Sequence, residues 1–267
     1  MDLFYILLIG IGGLCLGSFF NVLIWRIPRG ESVVWPSSHC TVCGHKLNAA
    51  ENIPLFSYLF LRGRCSSCKE PISFVYPLIE LLTAVALVLL WDTAGFAFDL
   101  PWYRNIIPAL RLASLIMLIP ISLIDLRHYI IPDRFTLPLL GLGLVLSILP
   151  HHLSPVEAFL GALSGGGSLL IMGLVGTYVL KKGDAMGMGD VKLMACMGAL
   201  WGAKTALLGI MFGAFLGSIA GVVMILARKL DDDHRIPFGP FLGAGVILAI
   251  LVGDRLLNAY LSLLGIS

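Results

Sequence analysis

Long apolar runs follow one another along almost the whole of this chain, and most approach the length of a bilayer crossing. A helix needs roughly 17–25 predominantly apolar residues to span the hydrocarbon core. Runs of this kind are read at 3–25, 73–91, 106–125, 134–150, 156–180, 190–202, 204–227 and 238–260. In lipid each backbone N–H and C=O must be satisfied inside its own segment, which leaves helices as the solution for runs of this length. The expected fold class is therefore all-α and polytopic, with about eight transmembrane helices. Composition agrees: 13% of residues are charged, against about 25% in a soluble domain. The least secure boundary separates 190–202 from 204–227, where Trp201-Gly202-Ala203-Lys204 is the sole turn signal, and a single span there is the alternative. The first run has no basic residues ahead of it and no clear small-x-small site behind it. It is read as a retained span rather than a cleaved signal. No long basic stripe is present, so no nucleic-acid partner is expected.

Lys and Arg set the expected orientation, because cytoplasmic loops carry their excess. Fourteen of the 18 basic residues fall in 26–72, 126–134, 181–192 and 228–235. With eight spans all four loops share one side, which is then cytoplasmic. A single span over 190–227 would put the 228–235 cluster on the wrong side. Gly-rich stretches at Gly161 to Gly167 and Gly213 to Gly221 suit close helix–helix approach and are read as packing.

The chain is expected to divide into a first span at 1–25, a cytoplasmic cysteine loop at 26–72 and a multi-span membrane domain at 73–267. The loop carries Cys40-Thr-Val-Cys43 and Cys65-Ser-Ser-Cys68, 21 residues apart. Two CxxC knuckles at this spacing can present four thiolates to one tetrahedral zinc ion, with no position left open for catalysis. Such a zinc is structural, and a loop too small to fold on core burial alone gains its stability from it. The expected product is a small zinc-ribbon-like cap. Two disulfides or a redox relay are the competing readings; a cytoplasmic loop disfavours the disulfides. His39 and His45 flank the first knuckle as bystanders, and Cys15 and Cys196 are apolar filler within spans.

Two acids stand at the ends of apolar runs. Asp125 closes Ile121-Ser-Leu-Ile-Asp125, and Asp190 follows Gly187-Met188-Gly189. Ionisable groups at membrane depth are costly and point to function. The glycines before Asp190 permit a sharp turn and close approach of another strand. Asp190 lies near a helix start, where negative charge is favoured, and Asp125 near a helix end, where it is not. Two carboxylates in unlike surroundings can divide acid and base roles. One takes a proton from water while the other, protonated, donates to a scissile carbonyl. For either acid alone, helix capping or snorkelling is the plainer reading. Asp133, after Pro132, has the look of a helix cap.

Taken in order, several motifs together resemble one family, the type IV prepilin peptidases or prepilin leader peptidase/N-methyltransferases. They are Gly17-Ser-Phe-Phe-Asn21 through Arg26-Ile-Pro28, the two CxxC pairs, Asn52-Ile-Pro54, and Ile72 through Tyr76-Pro77-Leu-Ile-Glu80. Asp125-Leu-Arg127 through Pro132-Asp133, Ala185-Met-Gly187-Met-Gly189-Asp190-Val-Lys192 and Ile236-Pro-Phe238-Gly-Pro240-Phe complete the set. The resemblance implies cleavage of a short basic leader from prepilins or pseudopilins at the cytoplasmic face of the bacterial inner membrane. Methylation of the new N-terminal residue from S-adenosylmethionine would follow. It puts Asp125 and Asp190 at the catalytic positions, of the Gly-x-Gly-Asp type, and Cys40, Cys43, Cys65 and Cys68 at the zinc positions that accompany methyl transfer. Thr41 stands where proline is common in the family, and Asp184 where glutamate is often seen. Glu80, an acid inside an apolar run, is the candidate for S-adenosylmethionine, and Glu80, Asp133 and Asp184 are candidates to receive the basic leader. Two other readings stay open. One is a different intramembrane aspartyl protease, although the Pro-Ala-Leu expected near the end is missing there. The other is a non-enzymatic transport or assembly protein with a zinc-stabilised loop.

Overall fold

The computed structural model describes residues 3–96, 105–150, 152–179, 186–227, 236–263 and 265. Among these, every regular element is helical, and the only strand-like pairings are two isolated bridges in the cysteine loop. The helices are α1 (Leu3–Arg26), α2 (Phe56–Phe60), α3 (Val75–Leu90), α4 (Ile106–His128), α5 (Asp133–Leu146), α6 (Pro155–Leu174), α7 (Met188–Leu226) and α8 (Gly239–Leu263). A π-helical turn at Val175–Val179 continues α6. Among the described residues, five segments are long and apolar enough to cross a membrane: those built on α1, α4, α6, α7 and α8. The apolar α3 is shorter, and α5 has 14 residues.

The doubtful boundary has a definite form. The backbone of α7 is helical on both sides of Gly202 but not at it, where φ is 86° and ψ 166°. An unbroken helix of 39 residues would extend about 58 Å, nearly twice the hydrocarbon thickness. The break yields two helical stretches, 188–201 and 203–226, in the positions expected from the sequence. Only a residue without Cβ takes this positive φ without strain.

The chain divides into two compact units, Met1–Phe96 and Ala97–Ser267. In the first, α1 packs on α3 through Gly13 and Gly17. A Cβ at either would come within 2.5 Å of the Cα of Ala84 or Glu80, respectively. This small-xxx-small spacing lets the two backbones nearly touch, which is how membrane helices associate without a hydrophobic force between them. Asn21 donates to the Tyr76 carbonyl at 3.1 Å and fixes the register. Arg26 turns into the loop and donates to the carbonyls of Ser32 and Pro36.

In the second unit the same device holds α6 to α7 and α7 to α8. Gly161 and Gly198 meet backbone to backbone, and Gly165 lies against the Met194 carbonyl. Gly213 abuts Phe241 and Leu242, and Gly209 abuts Val246. The glycine-rich stretches are thus packing surfaces. Around them Leu115, Ile121, Leu169, Met197, Leu200 and Leu242 are fully enclosed. Near the start of α4, Arg111 donates to His152 at 2.9 Å and lies over the Trp201 ring, and Trp201 donates to Ser114 at 3.1 Å. These contacts pin the residue next to the Gly202 break. Burial, and then the neighbouring guanidinium, hold His152 down to about 4 from its ordinary 6.5.

Candidate active site and metal centre

In the first unit Cys40, Cys43, Cys65 and Cys68 converge, all four sulfurs within 4.8 Å of one another. The knuckles are near copies. Gly44 N–H donates to the Cys40 carbonyl at 2.9 Å, and Lys69 N–H donates to the Cys65 carbonyl at 3.1 Å. Cys40 N–H reaches the His45 carbonyl, and Cys65 N–H reaches that of Glu70, both at 2.9 Å. The equivalent turn residues, Gly44 and Lys69, have φ of 71° and 62°. Sulfurs of Cys40 and Cys68 lie 3.8 Å apart, and those of Cys43 and Cys65 3.9 Å. A tetrahedral zinc with Zn–S near 2.3 Å requires sulfur separations of about 3.8 Å.

The thiol chemistry agrees. The backbone N–H groups of Cys43 and Val42 hold Cys40 down to about 7 from 9.0. Cys65 is likewise lowered by the N–H groups of Cys68 and Ser67. Cys68 goes the other way. The Glu70 backbone pulls it down, but desolvation and the neighbouring sulfurs push it up to about 12. Four thiolates this close repel one another, and a dication removes the conflict. The set fits one structural zinc, with no position left for chemistry. His45 is not a ligand: its Nε2 lies against the Glu51 carboxylate at 3.2 Å. Glu51 also accepts from Asn48 N–H, which closes the turn after the first knuckle.

Glu80 is 8% exposed, and its Oε2 accepts from Leu55 N–H at 2.8 Å. It thereby holds Leu55, whose φ of 60° is unusual for a branched residue. The carboxylate binds the loop just before α2.

The two aspartates lie in the second unit. Helix α4 ends one turn past Asp125: Tyr129 adopts a left-handed conformation and donates to the Asp125 carbonyl at 2.9 Å. The chain then turns through Ile131 and Pro132 into α5. Asp190 sits in the first turn of α7, after an extended Gly187. Both acids are largely buried, at 6% and 9% exposure, and are near enough for their charges to interact.

Glycines and Ile131 make this approach possible. A Cβ on Gly189 would come within 2.8 Å of the Ile131 Cβ, and one on Gly239 within 2.7 Å of Asp125 Oδ2. Gly239 N–H, in the first turn of α8, donates to that same oxygen at 2.9 Å. Asp125, at the unfavourable end of its own helix, thus receives the N-terminus of another. Sequence reasoning did not find this contact, although it did register the Phe238-Gly-Pro240 motif that supplies it.

Asp133 begins α5 but makes no side-chain cap there. It pairs with Lys192, whose Nζ donates to both carboxylate oxygens at 2.7 and 2.9 Å. The pair ties the segment after Asp125 to the helix that starts at Asp190. Cys196, a turn further on, is buried and donates to the Thr136 carbonyl at 3.2 Å. Asp184 lies outside the described residues.

Among the described residues, five helices long and apolar enough to cross a membrane and two buried aspartates at helix ends fit one class, the multi-pass membrane aspartic proteases. Family comparisons narrow it. Residues 11–93 match the bacterial peptidase A24 N-terminal domain, and residues 112–226 match the type IV leader peptidase family. A prepilin leader peptidase/N-methyltransferase of Pseudomonas aeruginosa is 36% identical over 95% of this chain and 92% of its own length. The protein of the same name from Aeromonas hydrophila is 35% identical over 97% of this chain and 94% of its own. That from Myxococcus xanthus is 41% identical over 80% of this chain and 62% of its own. No solved structure gives a significant match. The chain belongs to the type IV leader peptidase family, whose members are aspartic proteases. It is accordingly an enzyme and a multi-pass bacterial membrane protein.

Proposed function

We propose that this protein removes the leader peptide of type IV prepilins or pseudopilins and then methylates the new N-terminus. Asp125 and Asp190 carry the cleavage. What supports this reading is that two acids distant in the chain, one near the end of a helix and one at the start of another, are both buried and near enough for their charges to interact, with Gly187 against Asp190 and Gly239 against Asp125. Two neighbouring carboxylates cannot both ionise cheaply, so the pair holds one shared proton. The ionised member takes a proton from a water molecule, and the water oxygen attacks the scissile carbonyl carbon. The protonated member donates to the carbonyl oxygen. Collapse of the tetrahedral species breaks the C–N bond, and the amine leaves with a proton returned from the pair. Gly239 N–H keeps Asp125 in place throughout.

The leader is short and basic and lies at the cytoplasmic face of the inner membrane. The excess of Lys and Arg around both acid motifs favours that face for the site. S-adenosylmethionine supplies the methyl group as a co-substrate. The zinc, held by Cys40, Cys43, Cys65 and Cys68, supports this second activity by folding the loop. Glu80 contributes by holding Leu55 and the loop segment that follows.

The test is direct. The protein, reconstituted in vesicles, is incubated with a prepilin, with and without S-adenosylmethionine, and the products are weighed. Loss of the leader in both samples, and one added methyl only with the donor, is the expected result. An intact prepilin in both would overturn the proposal.

A further inference from the structure

One apolar surface outside the spans is not accounted for by either activity. Helix α2 places Phe56, Leu59 and Phe60 on one side, three and four residues apart, and all are exposed, Leu59 to 70% and Phe60 to 82%. Its other side is anchored. Tyr58 donates to the Ile72 carbonyl at 3.3 Å and sets its ring edge-on against Phe74, with centroids 6.3 Å apart. Directly after α2 come Arg62 and Arg64, both exposed.

The depth of this helix is constrained by a hydrogen bond that ties its start to a membrane helix. Leu55, the residue before α2, is bonded to Glu80. Glu80 lies about 7–8 Å inside the start of α3 by helix rise. It is flush with Gly17 of α1, a residue about 13 Å short of the end of that helix. The loop therefore does not simply stand off the membrane. It dips back beside the two membrane helices before α2 begins.

We propose that α2 is an interfacial wedge, with Phe56, Leu59 and Phe60 seated at the headgroup–acyl boundary and Arg62 and Arg64 on the phosphates of acidic phospholipids. The chemistry of the segment fits that occupant. An aromatic and aliphatic face followed by basic residues is the pattern of helices that lie in the membrane plane, with the apolar face about 5–10 Å deep. Each Arg near an anionic leaflet adds to the attraction. The tether at Glu80 brings that face to the depth at which it can insert.

The experiment uses the full chain in vesicles of phosphatidylethanolamine with or without phosphatidylglycerol. A photo-crosslinking residue is introduced as Phe60→p-benzoylphenylalanine or Leu59→p-benzoylphenylalanine, and as Val42→p-benzoylphenylalanine for an exposed position in the first knuckle. On irradiation, peptides containing residues 59 or 60 should gain the mass of a phospholipid, and peptides containing residue 42 should not. The yield should be several-fold higher with phosphatidylglycerol, and Arg62→Gln with Arg64→Gln should remove that gain. Glu80→Ala, which frees Leu55, should lower the adduct several-fold while zinc content is retained. Cross-links from residues 59 and 60 to residues 97–267 would overturn the proposal, because the face would then be an internal contact. Cross-links to added prepilin would overturn it in favour of a substrate-docking surface. Absence of any lipid adduct would overturn it as well.

Discussion

The cysteine loop of the first unit and the helix bundle of the second are held together by opposite means. In Met1–Phe96 the cysteine loop has little core of its own: Cys65 is its one buried apolar residue, and four sulfurs converge at a site that fits one zinc ion. In Ala97–Ser267 order comes from close contact between helices, with glycine set against carbonyl along α6, α7 and α8. The first arrangement can be undone chemically, by removing an ion. The second can be undone only sterically, by adding atoms. The acids follow the same division. Glu80 holds a loop through Leu55 N–H, whereas Asp125 takes its hydrogen bond from the start of α8 and Asp190 lies buried in the first turn of α7.

Several experiments can break or sharpen this contrast. The largest effect is expected from Asp125→Asn or Asp190→Asn, each of which should lower leader cleavage by at least about 10²–10⁴-fold. Methyl transfer to a substrate that is already cleaved should continue. Loss of both activities together would mean that the units do not divide the chemistry, and a mass-spectrometric assay with each substrate separates the cases. Next is Cys43→Ser, or exhaustive chelation. Either should empty the metal site and abolish methyl transfer, with the helical circular dichroism of the second unit nearly unchanged. A parallel collapse of helicity would show that metal binding supports the entire molecule.

Gly198→Leu tests the steric arrangement. Its side chain would have to displace the Gly161 backbone. Overpacking of this kind costs about 1–3 kcal/mol and sometimes more. The melting temperature in detergent should fall and cleavage with it, while zinc content stays constant.

The smallest effect concerns His152, held near 4 in the folded protein and near 6.5 when free. Between those values the unfolded chain binds the extra proton, so stability is lost as pH falls from about 6.5 towards about 4. His152→Gln should flatten the pH dependence of thermal unfolding over that window. An unchanged slope would show that the Arg111–His152–Trp201 contact does not bear on the stability of the second unit.

Much of this was legible in the residues themselves. The apolar runs gave the helices to within a few residues at most ends, because a bilayer imposes length and leaves no other backbone solution, although five rather than eight of the described helical segments are long and apolar enough to cross it. Trp201-Gly202 announced a break, and Gly202 does interrupt the helix. The CxxC pairs announced a four-sulfur cluster, because each knuckle is a local turn that aims two sulfurs the same way. Asp133 was less legible. After Pro132 it looks like a cap, yet it bonds Lys192, 59 residues away, and no local pattern encodes such a partner.

What the sequence determined by itself was local: where helices run, where they stop, and which residues have the chemistry to bind zinc or move a proton. Those properties depend on neighbours within a turn or two, and periodicity and spacing record them. What only the tertiary structure decided was who meets whom. It brought the start of α8 to the oxygen of Asp125, set Ile131 between Gly189 and Gly239, and turned Glu80 towards Leu55. Each of these contacts joins segments far apart in the chain. The first two depend on how closely glycines let segments approach, a distance that the order of residues does not contain.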